Sequence, residues 1–143
     1  MTAARFLLDT NVLSEPLLRR PDARVLRRLE SHREDCVTAA LALHELWFGA
    51  LRLEPSSRRA RIESYLREVV EVVYPVLPYD REAAAWHAAE RARLEALGRT
   101  PPFAAGVIAA VAGSRGLTLV TANVRDFAGF AGLRVVSWAT PAV

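Results

Sequence analysis

The sequence predicts an α/β fold: a three-layer α/β/α sandwich around a mainly parallel central sheet. Three observations predict it. Short apolar runs at residues 6–8, 36–38, 72–76, 117–121 and 133–138 lack the polar alternation of a half-exposed strand, as in strands buried on both faces. Segments of helical length separate most of these runs, and strands alternating with helices indicate parallel pairing through crossovers. The 143 residues are 52% hydrophobic and carry no repeat, low-complexity tract or linker. One domain over 1–143 can therefore bury roughly two-thirds of its unfolded surface.

The first strand is Phe6, Leu7 and Leu8, and Asp9 stands where it ends. Chemistry in open parallel sheets gathers beyond the carboxyl ends of the strands. Asp9, followed by Thr10 and Asn11, is thus a site candidate, or simply the cap of the next helix. A helical pattern over residues 12–18 stops before Pro21. Asp22 can start a second helix, with Val25, Leu26 and Leu29 inward and Arg24, Arg27 and Arg28 on one face. That stripe suits either phosphate contact or plain solvation.

After the strand at 36–38, a helix over residues 39–53 is apolar nearly all round, so it is buried or covered by a partner. Glu45 sits amid that surface, where a carboxylate must be paired, hydrogen-bonded or on a metal. His44 and Glu45 begin an HExxH, but Phe48 stands at the second histidine. Residues 58–70 form an amphipathic helix with Ile62, Tyr65, Leu66 and Val69 inward, and the β-branched run 72–76 predicts a strand. Asp80 caps a long helix to about residue 97, its face including Ala84, His87, Ala88 and Leu94, and Gly98 ends it. Two prolines lead into a small-residue helix from Phe103, stopped by Gly113 and Gly116. The strand 117–121 precedes Thr121-Ala-Asn123-Val-Arg125-Asp126-Phe, and 133–138 supplies the last strand.

Composition narrows the function further. No apolar run approaches the ~18 residues of a membrane span, and the N-terminus lacks a signal-peptide core, so a cytoplasmic protein is expected. The single cysteine, Cys36, excludes an internal disulfide framework. Net charge is +3 and every one of the 19 basic residues is arginine, so lysine chemistry is excluded. His32, His44 and His87 show no metal-ligand spacing. A haloacid-dehalogenase phosphatase needs an acid at position 11 and a catalytic lysine, and this chain has Asn11 and none. Neither GxxxxGK nor a strand-linked GxGxxG is present.

Asp9, Glu45 and Asp126 remain. Parallel strands can bring such residues to one rim, where crowded carboxylates raise one another's pKa. A hard divalent cation relieves that repulsion; Mg²⁺ takes oxygen ligands, few of them carboxylates, and can activate water against a phosphodiester.

Four motifs, LLDTNVLSE, AALALHELWFGA, GRTPPFAAGVIAAVA and LVTANVRDFAGFAGLRVVSW, resemble PIN-domain proteins of the VapC toxin type, most of all the branch that includes FitB. The resemblance implies a Mg²⁺- or Mn²⁺-dependent endoribonuclease, usually a homodimer, neutralised by a VapB-type antitoxin. It assigns the family's acidic quartet to Asp9, with Thr10 and Asn11 in its motif, to Glu45, to position 105, and to Asp126 in preference to Asn123. Thr121 and Asn123 support the last motif. Arg99 and Arg125 are expected to hold RNA phosphate, and Trp47 and Phe48 either line an antitoxin groove or pack in the core. The third position departs from the pattern: it is Ala105, and no carboxylate occurs between Glu95 and Asp126. Either an aspartate was replaced to spare the expression host, or this is a silenced relative that kept the fold and its partner. In both cases the chain as given is expected to bind metal weakly and cleave poorly. The alternative function is a non-catalytic PIN-fold binding protein.

Overall fold

The computed structural model describes residues 3–140. Five parallel strands form one sheet in the order β3-β2-β1-β4-β5. They are β1 (Phe6–Leu8), β2 (Cys36–Ala39), β3 (Val76–Leu77), β4 (Thr118–Val120) and β5 (Val135–Val136). The helices are α1 (Thr10–Leu13), α2 (Ala23–Ser31), α3 (Ala40–Leu51), α4 (Ser57–Tyr65), α5 (Glu71–Val73), α6 (Arg81–Ala96), α7 (Phe103–Gly113) and α8 (Val124–Phe127).

β1 lies at the centre, with Leu8 level with Thr38 on one side and Val120 on the other. Its two faces serve two cores. Leu7 packs with Val37, Leu119 and the small residues of α7, and Leu94 of α6 joins them. Leu8 packs with Val120, Leu46 and Ala50 of α3, Leu66, Val70 and Trp138. Both leucines are fully buried, as the unbroken apolar run requires.

Caps fix the helix ends. The Asp22 carboxylate accepts from the amides of Arg24 and Val25, and that of Asp80 from Ala83. After α6, Gly98 takes a left-handed φ of 75°, which lets the Arg99 amide reach back to the Leu94 carbonyl at 2.8 Å.

Several expectations are corrected. Residues 72–75 are not a strand. The helix of α4 continues through a π-turn, Leu66–Val70, into α5, and β3 is only Val76–Leu77. Leu66, Val70 and Tyr74, four apart, are all buried, so helical periodicity overrides β-branched propensity. Val69, expected inward, is exposed because it lies off that stripe. The first helix stops at Leu13; Pro16 then sits in a 3₁₀ turn, Glu15–Leu17. Ala88 is exposed, and the inward face of α6 is Ala83, His87 and Leu94. Gly113 is the last residue of α7 rather than a stop, and the bare glycine admits the Trp86 ring.

Candidate active site

The site is built where β1 ends. Asp9 lies at the carboxyl end of the central strand and is buried. It caps α1, accepting from the Thr10 amide on Oδ1 at 2.8 Å. Its other oxygen, Oδ2, accepts from the Thr121 hydroxyl at 2.8 Å. Each oxygen of the carboxylate thus has its own donor, and the cap uses only one of them.

Thr10 links two elements. Its hydroxyl donates to Oε1 of Glu45 at 3.0 Å, so α3 aims its carboxylate back at the end of β1. The half-buried Glu45 thereby gains the partner that its apolar surroundings demand. Asn11 ties α1 to the segment after β4: its Oδ1 accepts from the Ala122 amide at 3.0 Å, and its Nδ2 donates to the Thr121 hydroxyl at 3.4 Å. The Asn123 amide donates to the same hydroxyl at 3.1 Å. Both lone pairs of Thr121 Oγ1 are thus engaged, and its proton is directed at Asp9.

Asp126 stands exposed on α8, immediately beyond that segment. Burial pushes the Asp9 carboxyl above its ordinary value of 3.8. The bonds from Thr121 and Thr10 act the other way, and the negative charge of Asp126 adds to the rise. Asp126 is therefore within electrostatic reach of Asp9.

Ala105 lies in the first turn of α7, partly buried against the core that contains Leu7. The far end of α7 is tied to β4, with the Leu117 amide on the Ala112 carbonyl at 3.0 Å. The helix therefore runs back along the sheet, and its first turn lies toward the edge where α3 and α8 begin. Among the described residues no three His, Cys, Asp or Glu side chains are gathered tightly enough to hold one ion by themselves. Asp9 and Glu45 are bridged by one residue, Thr10, through its amide and its hydroxyl respectively, and Asp126 acts on Asp9 through its charge, short of a closed cage. The donors are all oxygen, the set that a hard divalent cation with retained waters prefers.

The remaining predicted residues divide. Arg125 is exposed on α8 and makes no ion pair among the described residues. Asn123 contributes its backbone; its side chain does not cap α8. Trp47 spends its indole N–H on Glu71 at 3.0 Å and packs against the second core. Phe48 is 60% exposed, as is its neighbour on the helix surface, Leu51, at 52%. The arginine stripe on α2 is largely spent: Arg24 pairs with Asp22, and Arg28 reaches the Ser137 carbonyl.

Sequence reasoning missed a cavity of about 150 Å³ between α6 and α7, lined by His87, Arg91, Arg99 and Phe103 among others. Its walls come from two helices, the turn between them and Phe130, so no contiguous motif announces it.

A PIN domain family model matches residues 6–133 of the chain. The chain is 33% identical over 124 residues to Toxin FitB of Neisseria gonorrhoeae, covering 85% of this chain and 89% of that protein. It is 31% identical over 135 residues to the tRNA(fMet)-specific endonuclease VapC of Salmonella typhimurium, covering 94% and 98%. Among solved structures, FitAB bound to an IR36 DNA fragment superposes with a TM-score of 0.89 at 28% identity, covering 96% of this chain and 98% of that one. DNA-bound VapBC from Salmonella typhimurium gives 0.83 at 30% identity, covering 94% and 98%.

Proposed function

Because the chain belongs to the PIN domain family, we propose that it is the toxin component of a type II, VapBC-type toxin–antitoxin pair, an endoribonuclease that hydrolyses RNA phosphodiesters. The observation that carries the reading is the join at the end of β1: Asp9, Thr10 and Glu45 in series, with Thr121 holding Asp9 from the far end of the chain.

The donor set fits Mg²⁺ or Mn²⁺, and Asp9, Glu45 and Asp126 would hold it. Such an ion lowers the pKa of a bound water and offsets charge on a leaving oxygen. The chain's own residues supply orientation. Thr121 fixes the rotamer of Asp9, Thr10 fixes Glu45, and Asn11 keeps the segment carrying Asp126 against α1. Arg99 and Arg125 would meet phosphate.

Position 105 is where the quartet is incomplete. The first turn of a helix favours an anion, yet the side chain is a methyl. The chain as given is weak in metal binding and poor in cleavage. A binding-only PIN protein is the second reading, and Ala105 is the observation that favours it. The partner is a VapB-type antitoxin. Its helix would seat on the open Phe48 and Leu51 face of α3, in the helix-in-groove mode, and two copies of the chain would pair. No helix among the described residues is long and apolar enough to cross a membrane, and we place the protein in the cytoplasm.

Cleavage of end-labelled RNA by the chain and by Ala105→Asp, each with Mg²⁺ and with EDTA, tests the reading. Metal-dependent cleavage should rise at least about tenfold in the variant, the order of effect attributed to a group that supports a metal site. No gain would leave the binding-only reading standing.

A further inference from the structure

The cavity between α6 and α7 contains groups that the site at β1 does not use. His87 is 4% exposed and lines it. Its Nδ1 is engaged by the Tyr79 hydroxyl at 2.9 Å. Its Nε2 lies beside Gly106, where even a Cβ would come within 2.3 Å, and has no hydrogen-bond partner among the described residues. A buried imidazole with one nitrogen fixed and the other free at a cavity wall is a polar group awaiting a ligand. Burial and the nearby Arg91 hold that imidazole below its usual pKa, so it stays neutral and can donate or accept.

The rest of the wall is divided by chemistry. Leu94, Phe130 and Phe103 are apolar. Phe103 is 60% exposed, its ring 5.0 Å from that of His87, with the Arg91 guanidinium 5.5 Å above it. Arg99 stands at the rim, and Glu95 pairs with Arg91, leaving one cation in excess. The first turn of α7 opens on the same place and has no side-chain cap at Pro102. At about 150 Å³ the space is well below the ~300 Å³ of the smallest drug-sized pockets, so it suits one flat ring rather than a whole ligand. Ala105 shares that first turn of α7.

We propose that this cavity is a nucleotide subsite that takes one base of single-stranded RNA. The base stacks on Phe103, its edge meets Nε2 of His87, and its phosphate lies against Arg91 and Arg99. The assignment rests on the ribonuclease reading and adds to it the place where the chain grips its substrate. Stacking on an aromatic is tolerant of sequence, whereas a single imidazole contact can favour some base edges over others.

The test uses the full chain in EDTA, so that binding is read without cleavage. A fluorescein-labelled single-stranded RNA is titrated by anisotropy against the chain, Phe103→Ala and Arg99→Ala; both side chains are exposed and both variants should fold. Each should bind about tenfold more weakly, the loss expected of one stacked base or one phosphate contact. Nucleoside 5′-monophosphates are then titrated while the histidine Cε1–H resonances are followed. With 3 histidines the assignment is tractable, and His87 should shift while His32 and His44 stay. Unchanged affinity in both variants, or a His87 signal that responds to no nucleotide, overturns the subsite. Metal-dependent cleavage by Ala105→Asp alongside unchanged binding by both variants would reject the subsite and keep the ribonuclease. Nucleotide binding at His87 without any cleavage by Ala105→Asp would do the reverse.

Discussion

Asp9 is held in a conflict that sets how the protein responds to pH. Burial and the Asp126 charge raise its pKa, while the Thr121 and Thr10 bonds only partly compensate. A carboxyl whose folded pKa exceeds its unfolded value binds its proton more tightly in the fold, so its contribution to stability is greatest below the ordinary 3.8 and is lost as pH rises through the folded value. Asp9→Asn removes that titration. The melting temperature of the variant relative to the parent should climb as pH rises from acid to neutral; two parallel curves would contradict the charge conflict. At low pH the variant gains nothing, because the Thr121 hydroxyl already accepts from Asn11 and Asn123 and cannot readily take the new amide. Cleavage in an Ala105→Asp background should fall with the same change. Gain in stability and loss of activity from one atom's replacement is the signature of a site that the fold tolerates rather than favours.

At the level of elements, close helix packing decides what sequence can stand where. α7 meets α6 through glycines: a Cβ on Gly106 would lie 2.3 Å from His87 Nε2, and one on Gly113 would lie 2.4 Å from the Trp86 ring. His87 cannot give way freely, since Tyr79 holds its other nitrogen. Gly106→Ala should therefore lower stability by about 1–3 kcal/mol, the usual cost of overpacking, despite the better helix propensity of alanine. Urea denaturation reads this directly, and an unchanged midpoint would mean that α6 slides aside. On the opposite layer, α3 shows the converse arrangement. Ala42, Leu46 and Ala50 are buried while Phe48 and Leu51 face out. A helix apolar all round has been given one face to the core and one to spare, which is why the sequence foretold a covered helix and the structure leaves half of it open.

The whole molecule closes its site with contacts across nearly its full length. Thr121 and Asp9 are 112 residues apart in the chain, and Asn11 and Ala122 are 111 apart. The rim that carries Asp9 and Thr121 thus forms only once β1 and β4 have paired, so it depends on the folded sheet rather than on any local segment. The same scale governs the electrostatics. A chain of net charge +3 whose cations are all arginines should bind RNA with a strong salt dependence. Log affinity should fall linearly with log salt, and Arg125→Ala should make that slope shallower by about 0.7 if the side chain meets a single-stranded phosphate. A slope identical to the parent's would place Arg125 outside the RNA path.

The sequence by itself determined the architecture and most of the carboxylates. Unbroken apolar runs such as Phe6 to Leu8 can be satisfied only between two layers, and Asp9 follows such a run at once, so both the buried strand and the acid at its end were legible. Glu45 was legible as a charge that apolar neighbours could not satisfy alone. The segment 72–76 was misread because β-branched residues suit a strand locally, while the helical spacing of Leu66, Val70 and Tyr74 matters only when there is a core to pack against. The tertiary structure alone decided that Thr10 links Asp9 to Glu45 and Thr121 holds Asp9, and that His87 meets Gly106 at the wall of a cavity. Hydroxyls and small cavities carry no periodicity. Their meaning comes from which groups the folded sheet and its helices bring within hydrogen-bond reach.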